Sequence, residues 1–283
     1  MVSKKNLISS SLNPCMGFGM FWVVSSVAVV TAVALFFVLR KKRILVDFTS
    51  FRVVHRKELT HNTCMVEFSG SISALVSPGQ HLLLRDPTTL KSRPYSPTQC
   101  SSVSFFIAVK RYENGAVSSF VHSLRPGDHC DMRGPIGNFQ MSKLRKFEQG
   151  GSCWLFLAAG SGVTPIFSIL RHCVLEREGP EQLVLLLSNS SKADLMLGEE
   201  LTELQAMSRG RLVVMHILSS ESGRLNADLF QKQLHDNVTE KIAFVGVCGP
   251  PAYCDYVAKL VKSEPLCSEI VVSPPKNETY WRF

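Results

Sequence analysis

An unbroken apolar run followed by a glycine turn is the feature that most restricts the fold of this chain. Residues 153–158 read C-W-L-F-L-A, the turn A-G-S-G follows directly, and a helical pattern then continues to Arg177. A strand without polar alternation is buried on both faces, as in a parallel sheet covered by helices. Similar runs recur at Leu183–Leu187, Leu212–Leu218 and Ile242–Val247. The second half is therefore predicted to be a doubly wound, parallel-sheet α/β domain.

The residues ahead of this run form short stretches in which apolar and polar positions alternate. These stretches are Phe51–Arg56, Cys64–Phe68, His81–Leu84 and Val103–Lys110. Turn signals such as Ser77-Pro78-Gly79 separate them, and one short helix is predicted at about Ala116 to Leu124. Short strands at this spacing indicate an antiparallel β-barrel. We expect the barrel domain at residues 44–149 and the α/β domain at residues 150–283.

A charge-free segment, Met16–Leu39, precedes both domains. A helix of about 20 apolar residues crosses a bilayer. A cleaved signal peptide is the alternative, because Ala32-Val33-Ala34 has a small-x-small form, but apolar residues continue beyond it. We expect residues 1–43 to be a retained transmembrane helix. Its basic flank, Arg40-Lys41-Lys42-Arg43, predicts that the domains face the cytosol, at the endoplasmic reticulum or the mitochondrial outer membrane.

The net charge of +8 is concentrated in this N-terminal segment. Residues 1–43 hold six Lys/Arg and no acid, which leaves 25 basic and 23 acidic residues elsewhere. This balance gives no support to nucleic-acid binding. The nine cysteines are scattered without a C-x-x-C pair, so the sequence suggests no zinc site or dithiol motif and fits a reduced cytosol.

The stretch S-R-P-Y-S-P-T, at residues 92–98, is rigid because its two prolines restrict the backbone on both sides. In a strand, Arg93 and Tyr95 would point to the same face. The alternative for Arg93 is a surface salt bridge, and the alternative for Tyr95 is a ring packed in the core. Further along, G-A-V-S at residues 115–118 opens the short helix. Its amides and Ser118 would suit an anion, or Ser118 or Ser119 is an ordinary N-cap.

Two strand ends in the second half are candidates for nucleotide binding. The turn from Gly160 to Pro165 reads G-S-G-V-T-P, and glycines there let a phosphate approach a helix N-terminus. Val247-Cys248-Gly249-Pro250-Pro251 ends another strand, with prolines that suit a first helical turn. Cys248 is either a buried, inert thiol or a residue that faces ligands at the carboxyl edge of the sheet.

The order of these motifs is more specific than any one of them. R-P-Y-S, G-x-V-S, G-P-x-G-x-F, G-S-G-V-T-P and C-G-P-P follow one another along the chain. Together with L-T-H-N-T at residues 59–63, P-G-Q-H at residues 78–81 and a terminal Phe283, this set resembles the ferredoxin–NADP reductase superfamily. Within that superfamily it is most similar to the NADH–cytochrome b5 reductases, from roughly Phe48 to the C-terminus.

The resemblance implies an FAD site in the first domain. Arg93 would contact the pyrophosphate, Tyr95 would pack on the flavin, and Ser96 would hydrogen-bond the central-ring nitrogen. A guanidinium suits phosphate, an aromatic face stacks on a planar ring, and a hydroxyl both donates and accepts. The other implied contacts are Pro94, Ala108, Val109 and Lys110 along the cofactor, and Gly115, Val117 and Ser118 at its phosphates.

The resemblance also implies a nicotinamide nucleotide in the second domain. Thr164 would lie beside the flavin and Cys248 near the carbon that gives up hydride. Ser219 stands where NADH-preferring members carry an acidic residue; a hydroxyl does not repel a 2′-phosphate, and Arg224 is close in sequence, so both NADH and NADPH stay open. The other implied contacts are Gly160, Gly162, Pro165, Gly249, Pro250 and Phe283.

These implications combine into a membrane-anchored reductase that passes hydride from NADH or NADPH to FAD and then single electrons to a heme acceptor, cytochrome b5 above all. A reductase serving an oxygenase, a desaturase complex or a quinone is one alternative, and a redox-inactive anchored adaptor is another. Basic residues that would dock an acidic acceptor, or simply form a solvated charged face, are Lys91, Lys110, Arg125, Lys143, Arg145 and Lys146.

Overall fold

The computed structural model describes residues 45–72, 76–137, 139–147, 152–263 and 270–273. The chain divides into two units at Arg43, and the second unit is Ile44–Phe283. The predicted anchor, the predicted boundary at 149–150 and Phe283 all lie outside the described residues. Within the described ranges, no helix has the length and apolar character needed to cross a membrane.

The first part of the second unit is a seven-stranded antiparallel sheet. Its strands are β1 (Leu45–Thr60), β2 (Thr63–Ser69), β3 (His81–Arg85), β4 (Ser92–Tyr95), β5 (Pro97–Cys100), β6 (Ser104–Lys110) and β7 (His129–Ile136). They lie in the order β4-β3-β7-β1-β2-β6-β5, and each neighbouring pair is antiparallel, as predicted. The two edge strands, β4 and β5, are separated in sequence by Ser96 alone. The edges therefore meet at Ser96, and the sheet curls into a barrel.

Alternate side chains of these strands fill the barrel. In β2, Cys64, Val66 and Phe68 are fully buried while the residues between them are partly exposed. Helix α1 (Ala116–Ser123) covers this core with Val117 and Val121. We call β1–β7 with α1 the barrel lobe. A short helix, α2 (Met141–Leu144), and a 3₁₀ turn, Arg145–Phe147, follow it.

The second part is a five-stranded parallel sheet, which confirms the predicted α/β domain. Its strands are β8 (Ser152–Ala159), β9 (Gln182–Asn189), β10 (Leu212–Leu218), β11 (Lys241–Cys248) and β12 (Ile270–Ser273), in the order β10-β9-β8-β11-β12. The helices between them are α3 (Val163–Leu175), α4 (Gly198–Met207), α5 (Ser219–Ser222), α6 (Ala227–Asn237) and α7 (Pro251–Ser263). We call this part the sheet lobe.

Strand β8 shows why the sheet is buried on both sides. Trp154, Phe156 and Ala158 belong to the apolar cluster on one face, and the intervening Cys153, Leu155 and Leu157 belong to the cluster on the other. All of β8 is buried, as its unbroken apolar sequence predicts.

The strand order reverses between β8 and β11. From β8 the chain adds β9 and β10 on one side, and β11 and β12 then extend the sheet on the other. Connections after β8 and β11 leave in opposite directions, which opens a crevice at the carboxyl ends of the strands. Ala158 and Cys248 are register partners there, so the glycine turn and the C-G-P-P turn flank the same crevice.

The two lobes pack directly on each other. Ala108 of β6 belongs to the same apolar cluster as Ile166 and Ile169 of α3. The backbone N–H of Gly79 donates to the Ser168 hydroxyl at 2.9 Å. Gly79 has a φ of +81°, and a β-carbon there would come within 2.6 Å of the Phe139 ring, so only glycine fits this contact. Gly79 therefore marks a point of close contact between the two lobes.

Candidate functional site

The first candidate site is a cleft of about 900 Å³ between the barrel lobe and the sheet lobe. We call it the barrel cleft. Its lining residues are Lys91, Arg93, Pro94, Tyr95, Ala108, Lys110, Tyr112, Asn114, Gly115, Ala116, Val117, Ser118, Ser161, Thr164, Gly249, Pro250 and Pro251. Two strands and a helix N-terminus of the barrel thus face two turns of the sheet lobe.

The R-P-Y-S motif forms one wall of the barrel cleft. Arg93 is exposed, and its Nη1 donates to the Ser92 carbonyl oxygen at 2.9 Å. Tyr95 is half-buried against the barrel core, and burial raises its pKa, so the hydroxyl is protonated at neutral pH. Ser96 is 5% exposed and is not among the lining residues. The wall therefore presents a cation and an aromatic ring side by side.

The N-terminus of α1 forms the adjacent wall. Gly115 is the N-cap residue, and no side chain caps the helix. The Ser118 hydroxyl instead accepts from the Tyr112 N–H at 3.2 Å and donates to the Gly115 carbonyl at 3.0 Å. A β-carbon on Gly115 would overlap that hydroxyl. The first-turn amides have no intrahelical acceptor, so this wall fits a phosphate.

The second candidate site is a cleft of about 740 Å³ at the carboxyl ends of the parallel strands. We call it the sheet cleft. It is lined by Lys110, Ala159, Gly160, Ser188, Asn189, Ser190, Ile217, Ser219, Arg224, Leu225, Asn226, Pro250, Ala252, Tyr253 and Tyr256. Lys110 and Pro250 line both clefts, so the two sites are contiguous.

The two glycines of the G-S-G turn have different positions. Gly160 has a φ of +53°, which favours glycine, and lines the sheet cleft. Gly162 lines neither cleft; a β-carbon on it would overlap the Cys248 carbonyl oxygen and stand 2.7 Å from the Gly249 Cα. Because Gly162 has no side chain, the ends of β8 and β11 can approach each other closely. Cys248 is half-buried and also lines neither cleft.

Thr164 and Pro165 open α3. The Thr164 hydroxyl donates to the Ser161 carbonyl at 3.1 Å, and Thr164 lines the barrel cleft while only 7% exposed. Pro165 is buried in the helix and lines neither cleft. Across the cleft, the Tyr112 hydroxyl lies 2.8 Å from the Ser161 hydroxyl, which joins the two lobes.

Lys110 is held at the junction of the clefts by Asp194. Its Nζ lies 3.3 Å from Asp194 Oδ1, and both side chains are largely buried. Burial alone would raise the pKa of Asp194, but hydrogen bonds from Ser191 and Lys110, and the charge of Lys110, outweigh it and lower the pKa. Asp194 is therefore ionised at neutral pH and fixes the position of the Lys110 ammonium.

Most residues predicted for the site are brought together by the fold. Those that line a cleft are Arg93, Pro94, Tyr95, Ala108, Lys110, Gly115, Val117, Ser118, Gly160, Thr164, Ser219, Gly249 and Pro250. Those that line neither are Ser96, Val109, Gly162, Pro165 and Cys248. Val109 is fully buried in the barrel core.

Several residues that line the clefts were not predicted from the sequence. Ser188 and Asn189 end strand β9, and Ser190 follows it. Polar residues at the carboxyl end of a buried strand are a signal that the sequence does contain. Tyr112 and Tyr256 carry no such signal, since an exposed tyrosine has many ordinary explanations. Asn189 has a further property: its side-chain nitrogen is buried and has no hydrogen-bond partner among the described residues.

The residues present fit a flavin with a phosphate tail and a second nucleotide. The barrel cleft offers an aromatic ring, a guanidinium and open helix amides, and the Gly115 position has no room for a side chain. The sheet cleft holds the unpartnered Asn189 amide, a donor that a ligand would satisfy. In the part of the chain that the structure describes, no cluster of three His, Cys, Asp or Glu is placed to hold a metal ion.

Comparison with known proteins agrees with this arrangement. Residues 50–141 match the oxidoreductase FAD-binding domain model, and residues 156–259 match the oxidoreductase NAD-binding domain model. NADH-cytochrome b5 reductase 1 of Cryptococcus neoformans is 29% identical over 69% of this chain and 67% of its own length. NADH--cytochrome b5 reductase 1 of Arabidopsis thaliana is 31% identical over 64% of this chain and 66% of its own.

Solved structures share the fold. The CS-b5R domains of human Ncb5or in the NAD+ form superpose with a TM-score of 0.66 at 24% identity, over 78% of this chain and 69% of that one. The cytochrome b5 reductase domain of Ulva prolifera nitrate reductase gives a TM-score of 0.64 at 19% identity, over 79% and 97%.

The fold, the paired clefts and the two matched domains define an NAD(P)H-dependent FAD oxidoreductase. The chain belongs to the NADH–cytochrome b5 reductase family.

Proposed function

We propose that this oxidoreductase is anchored in a membrane by residues 1–43, faces the cytosol, and passes electrons from NADH or NADPH through FAD to a heme protein, cytochrome b5. The observation that supports this electron path is that the two clefts are contiguous, because Lys110 and Pro250 line both of them. When bound, FAD would accept the hydride that the nicotinamide donates and pass its two electrons singly to two one-electron acceptors.

The chain's own residues have binding and positioning roles in this proposal. Arg93 and the first-turn amides of α1 hold the diphosphate, and Tyr95 packs on the ring. Thr164 and the Gly249–Pro251 turn close the barrel cleft from the sheet lobe, which aligns the nicotinamide with the flavin and excludes water. No protein acid or base is required, because the transferred group is a hydride.

The family relationship supports cytochrome b5 as the acceptor, because curated relatives are named for it. We expect an acidic heme protein to dock on exposed basic side chains near the barrel cleft. Lys91 is exposed and lines that cleft, and Arg125 and Arg145 are exposed elsewhere on the surface. Lys110 is held by Asp194, which makes it a positioning group rather than a free docking charge. The side chains of Lys143 and Lys146 lie outside the described residues.

One experiment tests the electron path. The full chain is purified in detergent, its visible spectrum is recorded, and NADH or NADPH is added without oxygen. We expect a yellow protein that bleaches, and oxidised cytochrome b5 added next should be reduced. A colourless protein would contradict the flavin site, and bleaching without heme reduction above a dye control would point to an oxygenase, a desaturase complex or a quinone as the acceptor.

Two variants test the anchor and the docking surface. Removal of residues 1–43 should leave dye reduction intact and abolish flotation with lipid vesicles. Lys91→Glu should raise the KM for cytochrome b5 in a salt-dependent way, by a larger factor than it changes the rate of dye reduction. Lys232→Glu, on the exposed surface and in neither cleft, is the matched control. Equal effects of the two charge reversals would count against docking at Lys91.

A further inference from the structure

The segment from Ser219 to Asn226 forms one rim of the sheet cleft. Ser219, Arg224 and Asn226 line the cleft. Leu225 is 7% exposed and packs in the core beneath the sheet, and the Asn226 side chain accepts from the Leu229 N–H at 2.8 Å as the N-cap of α6. The Ser220 N–H donates to the Ser190 carbonyl at 3.0 Å. Both ends of the segment are therefore fixed, and Arg224 is held at the rim.

The charge of Arg224 is not neutralised by the protein. Arg224 is exposed and takes part in no ion pair within the described part of the chain. The segment contains a single acid, Glu221, which lies 3.8 Å from Lys192 and is not a lining residue. Lys110, the other cation of the cleft, already contacts Asp194 at 3.3 Å. Arg224 is thus the cation of this cleft that is available to a ligand.

The neighbouring groups are donors rather than carboxylates. Ser188, Ser190 and Ser219 supply hydroxyls, and the buried Asn189 side-chain nitrogen lacks a partner among the described residues. Nucleotide sites that take NAD place an acid on the ribose 2′-hydroxyl, whereas an arginine accommodates the 2′-phosphate of NADP. A phosphate monoester carries close to two negative charges at neutral pH, and an unpaired guanidinium binds it with charge-assisted hydrogen bonds.

We propose that Arg224 and Ser219 form a binding site for the 2′-phosphate of the adenosine ribose, so that NADPH is the preferred hydride donor. This inference rests on the proposed function, because it names the donor of that same site. Tyr256 lies exposed at the same cleft on α7 and offers a ring face for the adenine. The chain would then differ in donor from relatives that are named for NADH.

The test is a comparison of both donors with the full-length, FAD-loaded protein. Rates of anaerobic flavin bleaching give kcat/KM for NADPH and NADH. We expect NADPH to be preferred. Arg224→Gln should lower kcat/KM for NADPH about tenfold to hundredfold more than for NADH, the loss expected of a hydrogen bond to a charged group. Ser219→Asp should invert the preference by repelling the phosphate. Lys232→Gln is the matched control, exposed and outside both clefts.

Binding without turnover separates this inference from the proposed function. Calorimetric titration with adenosine 2′-phosphate and adenosine 5′-phosphate should show tighter binding of the 2′-phosphate, and Arg224→Gln should remove the difference. FAD content, measured for each variant, verifies folding. An equal loss for both donors in Arg224→Gln would assign the arginine to the diphosphate and overturn the proposal, as would equal binding of the two monophosphates. If neither donor bleaches the flavin while the 2′-phosphate still binds more tightly, the reductase function fails and the site stands.

Discussion

Gly162 lies against Cys248 so closely that a β-carbon on the glycine would overlap the cysteine carbonyl oxygen and stand 2.7 Å from the Gly249 Cα. The atoms on the other side are backbone, which cannot rotate away as a side chain can. The contact therefore fixes the spacing between the two turns that flank the crevice.

Gly162→Ala is expected to force these turns apart. Overpacking of this kind costs about 1–3 kcal/mol of unfolding free energy. Nucleotide binding should weaken more than FAD binding, because the shifted groups belong to the crevice of the sheet lobe. Thermal unfolding and nucleotide titration measure the two effects. Gly198→Ala is the control, since its β-carbon would meet only Leu195 at an ordinary 3.6 Å. Equal outcomes for the two variants would show that the contact is not restrictive.

Ser96→Ala tests the buried hydroxyl between the edge strands of the barrel. FAD should stay bound, because Arg93 and Tyr95 are untouched, and flavin reduction should slow about fivefold, the effect of losing one hydrogen bond worth about 1 kcal/mol. Stopped-flow absorbance measures the rate. Ser104→Ala is a fair comparison, since Ser104 is 9% exposed and lines neither cleft. An unchanged rate in Ser96→Ala would refute a hydrogen bond to the flavin.

The hydrogen bond between Tyr112 and Ser161 predicts coupling between the lobes. Tyr112→Phe and Ser161→Ala should each speed FAD dissociation, and the double variant should be no worse than either, with a coupling energy of about 1 kcal/mol. FAD release is followed by its rise in fluorescence. Strictly additive effects in the double variant would mean that the two hydroxyls act separately.

Buried thiols predict a loss of stability in alkali. Burial, with a smaller effect of Glu240, raises the pKa of Cys153 from 9.0 to about 12. Below pH 9 the thiol is protonated in both states. Above pH 9 only the unfolded chain ionises, so the free energy of unfolding falls by about 1.4 kcal/mol per pH unit until the native pKa is reached.

Cys153→Ala should make the curve of unfolding free energy against pH shallower from pH 9 upward. Burial raises the pKa of Cys100 to about 11, with Arg171 opposing it, so the effect of Cys100→Ala should level off about one pH unit earlier. Denaturant unfolding at fixed pH values measures both curves. Identical slopes in wild type and Cys153→Ala would exclude a protonated native thiol.

The two sheets could be predicted because their sequences carry opposite patterns. The alternation in β2 requires a half-buried strand, and the unbroken run in β8 requires burial on both faces. The break of the R-P-Y-S-P-T stretch into β4 and β5 could not be predicted, because nothing local says that its halves lie at opposite edges of one sheet.

Site residues could be predicted where their position depends on the local sequence. They were harder to predict where their position depends on contacts between distant parts of the chain. Arg93, Tyr95 and Gly115 line the barrel cleft within elements that the sequence indicates. The role of Gly162 depends on the pairing of β8 with β11, which are far apart in the chain. The position of Arg224 in the sheet cleft depends on Leu225 and Asn226, which fix the loop beside it. The spacing of residues in the sequence does not predict this arrangement.

The pairing of β8 with β11 has a consequence for biosynthesis. Strand β8 ends at residue 159, yet its partner begins only at Lys241. During translation the barrel lobe can fold first, because all seven of its strands have already been made. A ribosome that has reached residue 240 has produced β8, β9 and β10 but not the strand that completes the crevice. Nascent chains should therefore acquire flavin-binding ability earlier than nucleotide-binding ability, and a message truncated between these points would encode a coloured protein that its donor cannot reduce.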